Sequence, residues 1–344
     1  MKNQNDSVVS LREILDTDEF KKASAKSKLS LALGRDDEGR PVIADLTKMP
    51  HLLVGGRSDI TVCLQSMIIS LLQNATPDEL KLVLIDPLQE LYEYKDIAYL
   101  QVPIIDKHLK AVGALDWAVD EMERRYKLFA KQGARDIDSF NKQFKSGDAL
   151  EKMHRIVIFI NDFQELMVCY PKETEDFVCK LAQLARAAGI HLVIATKIPS
   201  GDVITRLIRA NFPSRIAFRV LDYQESTVIL DRSGAEKLLW NGDMLFAPVG
   251  SGSPTRVQSC FINGAEVHKI VEQIKAQSKA NYSSIIMREI EAKAAAIDIM
   301  HKSIEEAQDG TPDPLIDQAI VLRVLAALKK MDERQQTQAD DKNE

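Results

Sequence analysis

The stretch HLLVGGRSDITVCLQSMIISLLQ, residues 51–73, runs from an apolar strand-like segment through a glycine pair into a long apolar segment with helical potential. A strand, a glycine-rich loop and a helix in that order form the arrangement in which backbone N–H groups and a helix N-terminus hold phosphate oxygens. A working loop of this type reads G-x-x-x-x-G-K-[ST], because the lysine brings charge to the outer phosphates and the hydroxyl holds magnesium. Here it reads Val54-Gly55-Gly56-Arg57-Ser58-Asp59-Ile60-Thr61. It has no lysine, no second glycine at the required distance, and an aspartate where a phosphate would approach. Arg57 is the candidate to replace the lost charge, and Ser58 or Thr61 the candidate hydroxyl. The expectation is a loop that keeps the strand-to-helix connection and has lost the phosphate.

Working outward, further short runs rich in Val, Ile and Leu follow: LKLVLID (80–86), HRIVIFIND (154–162), IHLVIAT (190–196) and SRIAFRV (214–220). Each is apolar on both alternating faces, as a strand covered on both sides must be. Between them, residues 108–133 and 172–189 carry apolar residues at helical spacing and end on Gly133 and Gly189. The alternation predicts an α/β fold with a mostly parallel sheet over residues 28–275, preceded by an N-terminal segment, 1–27. Composition changes near residue 276. Residues 281–310 predict one solvated helix, whose Ile286, Ile290, Ile297, Met300 and Ile304 form a stripe interrupted by Lys293. That stripe is expected to pack on the chain's own domain rather than in a coiled coil. After TPDP a short helix is expected, and the polar tail 332–344 has nothing to bury and is expected to be disordered.

With 28% charged residues and a net charge of -6, the chain has no global basic signature of a nucleic-acid binder. Cys63, Cys169, Cys179 and Cys260 show neither CxxC spacing nor neighbouring histidines, so no metal site and no disulfide framework is expected. No leader and no run long enough to cross a bilayer is seen, which predicts a cytoplasmic protein.

The strand HRIVIFIND ends in Asn161-Asp162. In a P-loop ATPase such a strand ends in an acidic pair that supports magnesium and orients the attacking water. Asn161 is neutral, while Asp162 retains a carboxylate and is the residual catalytic candidate; its alternative role is a helix N-cap or loop carboxylate.

Taken together, LREILDTDEF near the start, VIADLTKMPHLLVGG (42–56), LVLIDP with ELYEY (82–94), residues 117–141 around MERRYKLFAKQG, LAQLARAAGIHLVIATKIPSGDVITRLIRANFPSRIAF (181–218) and ILDRSGAEKLLWNGDMLF (229–246) resemble the motor domain of the FtsK/SpoIIIE family. The resemblance covers nearly all of residues 10–275, and DPLIDQA (313–319) is similar to the start of the family's winged-helix domain, after which it stops. It implies a RecA-like P-loop NTPase fold with a C-terminal helical extension over 276–331, and the family's activity, ATP-driven translocation of double-stranded DNA by a hexameric ring. The departures collect at the chemical positions. The loop lacks the family's Gly-Lys-Ser, Asn161-Asp162 stand for Asp-Glu, Lys197 and Ile198 for a Gln-Arg sensor pair, and Thr227 for an arginine. Arg186, Gly189, Asn211, Pro213, Arg215, Gly234, Gly242 and Asp243 still match. Loss of one preorganised donor commonly costs about 3–4 kcal/mol of transition-state stabilisation.

The pattern predicts a pseudo-ATPase that needs no cofactor. It would act as a binding or regulatory partner of an active FtsK/SpoIIIE-type translocase, or of itself in a ring, in DNA translocation, chromosome segregation or cell division. The first alternative is a divergent translocase using ATP and Mg2+, with Arg57, Asp162 and Lys197 in an altered site on double-stranded DNA. The second is a degenerate ATPase module of a secretion machine. The basic stretch RLIRANFPSR (206–215) is the local candidate for DNA contact, although solvated arginines on a helix are its simpler explanation. With the winged helix truncated and no counterpart of the family's membrane region, sequence-directed movement is not expected, and recruitment to a membrane would need a partner.

Overall fold

The computed structural model describes residues 8–146 and 152–308. In chain order the first half runs β1 (Val9–Ser10), α1 (Leu11–Leu15), α2 (Asp18–Lys26), β2 (Ser30–Asp36), β3 (Pro41–Asp45), β4 (His51–Gly55), α3 (Ile60–Asn74), β5 (Leu80–Ile85), α4 (His108–Gln132) and α5 (Ile137–Ser146). Then follow β6 (Arg155–Ile160), α6 (Phe163–Cys169), α7 (Pro171–Leu184), β7 (Ile190–Thr196), α8 (Arg206–Asn211), β8 (Ser214–Phe218), α9 (Tyr223–Leu230), β9 (Asp243–Ala247), β10 (Thr255–Phe261), α10 (Gly264–Gln277) and α11 (Ser284–Gln308). The sheet order is β3-β2-β10-β9-β8-β4-β7-β6-β5, with β1 added beside β10.

Strands β8, β4, β7, β6 and β5 run parallel and are the five apolar runs read from the sequence. Successive side chains of a strand point to opposite faces, so a run apolar at every position needs cover on both. That is what is found. Leu52 and Val54 of β4 join one buried apolar cluster with α3 and α10, while Leu53 joins the other with α4, α6 and α7. Beyond β8 the sheet turns antiparallel through β9, β10, β2 and β3. These strands carry only short apolar runs, such as Leu31–Leu33 of β2 and Met244–Ala247 of β9, and β10 interleaves polar with apolar residues, so the sequence pattern did not mark them. The sheet is therefore mixed, a parallel half joined to an antiparallel half.

Helix α4 stops at Gly133, in the left-handed conformation, as expected. Helix α7 ends earlier than expected, at Leu184, and Gly189 instead forms the turn into β7. The N-terminal segment is built into the core: β1 pairs with β10, and Leu11, Ile14 and Phe20 are buried.

Helix α11 lies along α4, with Ile290, Ala294 and Ile297 buried. Lys293, which interrupts the stripe, reaches Asp116 at 2.9 Å and Asp120 at 2.7 Å, two residues one turn apart on α4. Gly113 makes this packing close: a Cβ there would stand 2.7 Å from the Ile290 carbonyl oxygen. The helix is thus seated on the chain's own domain rather than solvated all round. The expected short helix, the winged-helix remnant and the polar tail fall outside the described residues.

Candidate functional site

Parallel strands β4, β5, β6 and β7 end on the same side of the sheet, with Gly55 beside Thr196 and Ile85 beside Ile160. In open α/β sheets this carboxyl end is where ligands are taken. The residues leaving it are Gly56–Thr61 after β4, Asp86–Leu91 after β5, Asn161 and Asp162 after β6, and Lys197 and Ile198 after β7.

The glycine pair of the loop is explained by packing. A Cβ on Gly55 would meet Ile229 Cδ1 at 2.7 Å, and one on Gly56, at φ +152°, would meet Phe218 Cβ at 2.7 Å. Arg57 turns away from the helix N-terminus. Its backbone N–H donates to Arg219 O at 2.9 Å, and its guanidinium forms a bidentate ion pair with Glu225 at the start of α9. Ser58 Oγ donates to Asp59 at 2.6 Å, and Asp59 holds the left-handed conformation just before α3. Thr61 Oγ1 donates to Glu90 Oε2 at 2.5 Å.

Glu90 is the centre of the site. Besides Thr61 it accepts both from Asn161 Nδ2, at 3.0 Å, and from Lys197 Nζ, which lies 2.7 Å from each carboxylate oxygen. The same ammonium is 3.2 Å from Asp162 Oδ1, which also accepts from Gln164 Nε2 at 3.0 Å. Asn161 Nδ2 also donates to Asp86 Oδ1 at 3.0 Å, and Asp86 Oδ2 accepts the Leu91 backbone N–H at 2.6 Å. Asp162 occupies the N-cap position of α6 but makes no capping bond; its Oδ1 faces Lys197 and Gln164, and its buried Oδ2 has no partner among the described residues. The structure thus joins Thr61, Asn161, Asp162 and Lys197 through Glu90, and leaves Arg57 out.

The electrostatics follow from burial and these partners. Burial works to raise the Glu90 pKa, but hydrogen bonds from Lys197, Thr61 and Asn161 outweigh it and hold the carboxyl below its ordinary value. Burial also works against a charged Lys197, and the bond to Glu90 with the Asp162 charge raises its pKa nonetheless. Asp86 is pushed up, first by burial, with the Glu90 and Asp162 charges adding to it.

A magnesium nucleotide brings phosphates that need free cations and N–H groups, and a metal that needs unshared carboxylate oxygens. At this site Arg57 is paired with Glu225, and Lys197 with Glu90 and Asp162. Two carboxylates, Glu90 and Asp162, hold that one ammonium, Glu90 is also bound to the first turn of α3, and a third carboxylate, Asp86, joins the cluster through Asn161. The residues present do not fit the group: a phosphate would meet net negative charge, and a divalent ion would find one unshared carboxylate oxygen, Asp162 Oδ2, and would have to expel Lys197 to gain more. Among the described residues, no cluster of three or more His, Cys, Asp or Glu is arranged to hold a metal.

Two further positions lie apart. Thr227 donates to Tyr223 O of its own helix α9 at 2.8 Å, and Ile198 is exposed. Of the three arginines in the basic stretch 206–215, two are engaged within the fold. Arg215 is buried and donates to the carbonyls of Phe212, Arg209 and Ile229, Arg209 is 3.4 Å from Asp231, and Arg206 remains at the surface. Glu90 belongs to the ELYEY stretch that carries the resemblance, but nothing in its local sequence marks it as the meeting point. Burial also raises the Cys63 thiol to about 12, an inert core position.

The profile of the FtsK/SpoIIIE family matches residues 10–201. Among curated proteins, the DNA translocase FtsK of Caldanaerobacter subterraneus subsp. tengcongensis is 48% identical over 290 residues, 83% of this chain and 40% of that protein. The DNA translocase SftA of Bacillus subtilis is 44% identical over 283 residues, 81% of this chain and 30% of that protein. The chain therefore spans well under half the length of these relatives. Among solved structures, the conjugation coupling protein TcpA of pCW3, in its monomer form with ATPγS, superposes with a TM-score of 0.63 at 25% identity, over 74% of this chain and 72% of that one. The cytoplasmic domain of the type VII secretion ATPase EccC of Thermomonospora curvata gives 0.64 at 21% identity, over 72% and 31%, and shows the shared P-loop ATPase-like fold alone. With the profile running through β4, α3, β5, β6 and β7, the strands and helices that frame the Glu90 cluster, this chain belongs to the FtsK/SpoIIIE family.

Proposed function

We propose that this chain is a non-hydrolysing member of its family, a pseudo-ATPase that acts by binding protein. Its partner is an active translocase of the same family, or further copies of itself in a ring, in DNA translocation, chromosome segregation or cell division. The observation that carries this is the Lys197 ammonium held between Glu90 and Asp162, where a nucleotide-bound metal would otherwise be needed. The loop adds support, since Gly55, Gly56 and Arg57 are committed to packing and to Glu225. Binding of double-stranded DNA is secondary, because two of the three arginines of the basic stretch 206–215, Arg209 and Arg215, are engaged within the fold.

A second reading, an ATP-driven translocase of double-stranded DNA, draws on the names of the relatives and on the nucleotide in the TcpA structure. A secretion-machine module has weaker support, since that likeness is one of fold. Calorimetry with ATP and ADP in the presence of Mg2+, followed by phosphate release with duplex DNA, separates the first two. The expected result is neither binding nor release. DNA-stimulated release that is lost in Asp162→Ala would make the chain a motor and overturn the proposal.

A further inference from the structure

We infer that Lys197 is a built-in counter-ion whose ammonium, through Glu90 and Asp162, makes the ends of β5, β6 and β7 and the first turn of α3 one unit that holds together without a ligand. This rests on the reading of the site as non-hydrolysing and adds how the site keeps its shape.

The first support is burial. Asn161 and Asp162 are essentially fully buried, and an isolated carboxylate there would be costly to keep charged. Among the described residues, the cation bonded to Asp162 is Lys197. The second is connectivity. Glu90 receives bonds from α3 through Thr61, from the end of β6 through Asn161 and from the end of β7 through Lys197, while Asn161 reaches on to Asp86 after β5. Gln164 closes the ring: its Nε2 donates to Asp162, and its Oε1 accepts from Thr196 Oγ1 at 2.7 Å. The third is an unmet need. Asn161 Oδ1 and Asp162 Oδ2 are buried and have no partner among the described residues. Removing the one cation would therefore leave the Glu90 and Asp162 charges with neutral donors alone, Thr61, Asn161 and Gln164, whereas an ordinary surface ion pair could be lost with little effect.

Native-state hydrogen exchange on the unmodified protein tests this, read over residues 59–63, 86–94, 160–165 and 194–199. Under low urea the four segments should open in a single step with one common protection. Separate opening of the four would overturn the inference. In Lys197→Met all four should exchange faster together, by about tenfold or more, with the rest of the sheet unchanged. Acceleration confined to 194–199 would mark Lys197 as a local pair and sink the inference. Should Lys197→Met fail to fold, Glu90→Gln takes its place, with the same expectation of joint acceleration and with change confined to 86–94 as the contrary outcome. Adding Mg-ATP to the unmodified protein distinguishes the two levels. New protection at 55–61 would show that the loop takes a nucleotide and would overturn the reading of the site as one that holds none, whereas local acceleration in an ATP-indifferent protein would sink this inference alone.

Discussion

At the scale of the residue, position within the sheet decides chemistry more than residue type does. His51 and His191 sit at the opposite ends of β4 and β7 from the Glu90 cluster, both buried, with ring centroids 6.4 Å apart. His51 Nδ1 accepts the Leu192 backbone N–H at 3.2 Å, and each ring leaves its Nε2 without a partner. Burial, with the charges of the neighbouring His191 and Arg186 adding to it, lowers the His51 pKa to about 3; burial likewise lowers that of His191 to about 3. A base depressed in the folded state contributes stability that is whole above its unfolded pKa and falls as pH drops toward the folded value. The window here is pH 6.5 down to about 3. Each histidine should add up to about 1.4 kcal/mol of lost stability per pH unit within it. Urea unfolding at pH 7, 6, 5 and 4 should show this loss, and His51→Asn, which keeps an acceptor for Leu192, should make the decline shallower. An unchanged slope would mean that His51 is not the titrating group.

At the scale of the element, the seat of α11 on α4 depends on the absence of one side chain. Gly113 lets the Ile290 carbonyl and the Ala294 backbone approach so closely that a Cβ would meet them at 2.7 and 2.9 Å. Gly113→Leu should lift α11 from α4, break the Lys293 pairs with Asp116 and Asp120, and cost about 1–3 kcal/mol. Limited trypsin digestion reads it: cleavage after Arg288 and Lys293 should become at least several times faster than in the parent protein. Equal rates would show that α11 is held elsewhere. The apolar stripe of α11 was legible in its spacing, but its partner was not. Lys293 breaks the stripe in sequence and completes it in space, because the two aspartates that receive it belong to a helix more than a hundred residues earlier.

At the scale of the whole molecule, large apolar side chains are left exposed around the carboxyl end of the sheet. Leu88 and Tyr92 follow β5, Ile198 follows β7, Leu221 and Tyr223 follow β8, and Leu239 and Trp240 precede β9. Trp240 is half exposed, and the Arg219 guanidinium lies 5.1 Å from its ring centroid. Exposed Trp and Tyr beside Arg are the composition of protein-binding centres. If the proposed partner docks here, Leu221→Asp combined with Trp240→Ala should weaken co-sedimentation with a purified active translocase of the family by about tenfold or more. Unchanged binding would place the interface elsewhere. Among the described residues, no helix is long and apolar enough to cross a membrane.

By itself the sequence determined the five parallel strands, the helix that ends at Gly133, and the loop in which Arg57, Ser58 and Asp59 stand in place of a phosphate cradle. Those are local properties: apolar runs need two-sided cover, a left-handed glycine ends a helix, and a missing lysine is missing in any fold. Only the tertiary structure decided what the remaining polar groups do. Glu90 meets Lys197 across 107 positions of chain, and Arg57 meets Glu225 across 168. An ion pair is fixed by distance and burial, and neither is written in the spacing of residues along the chain.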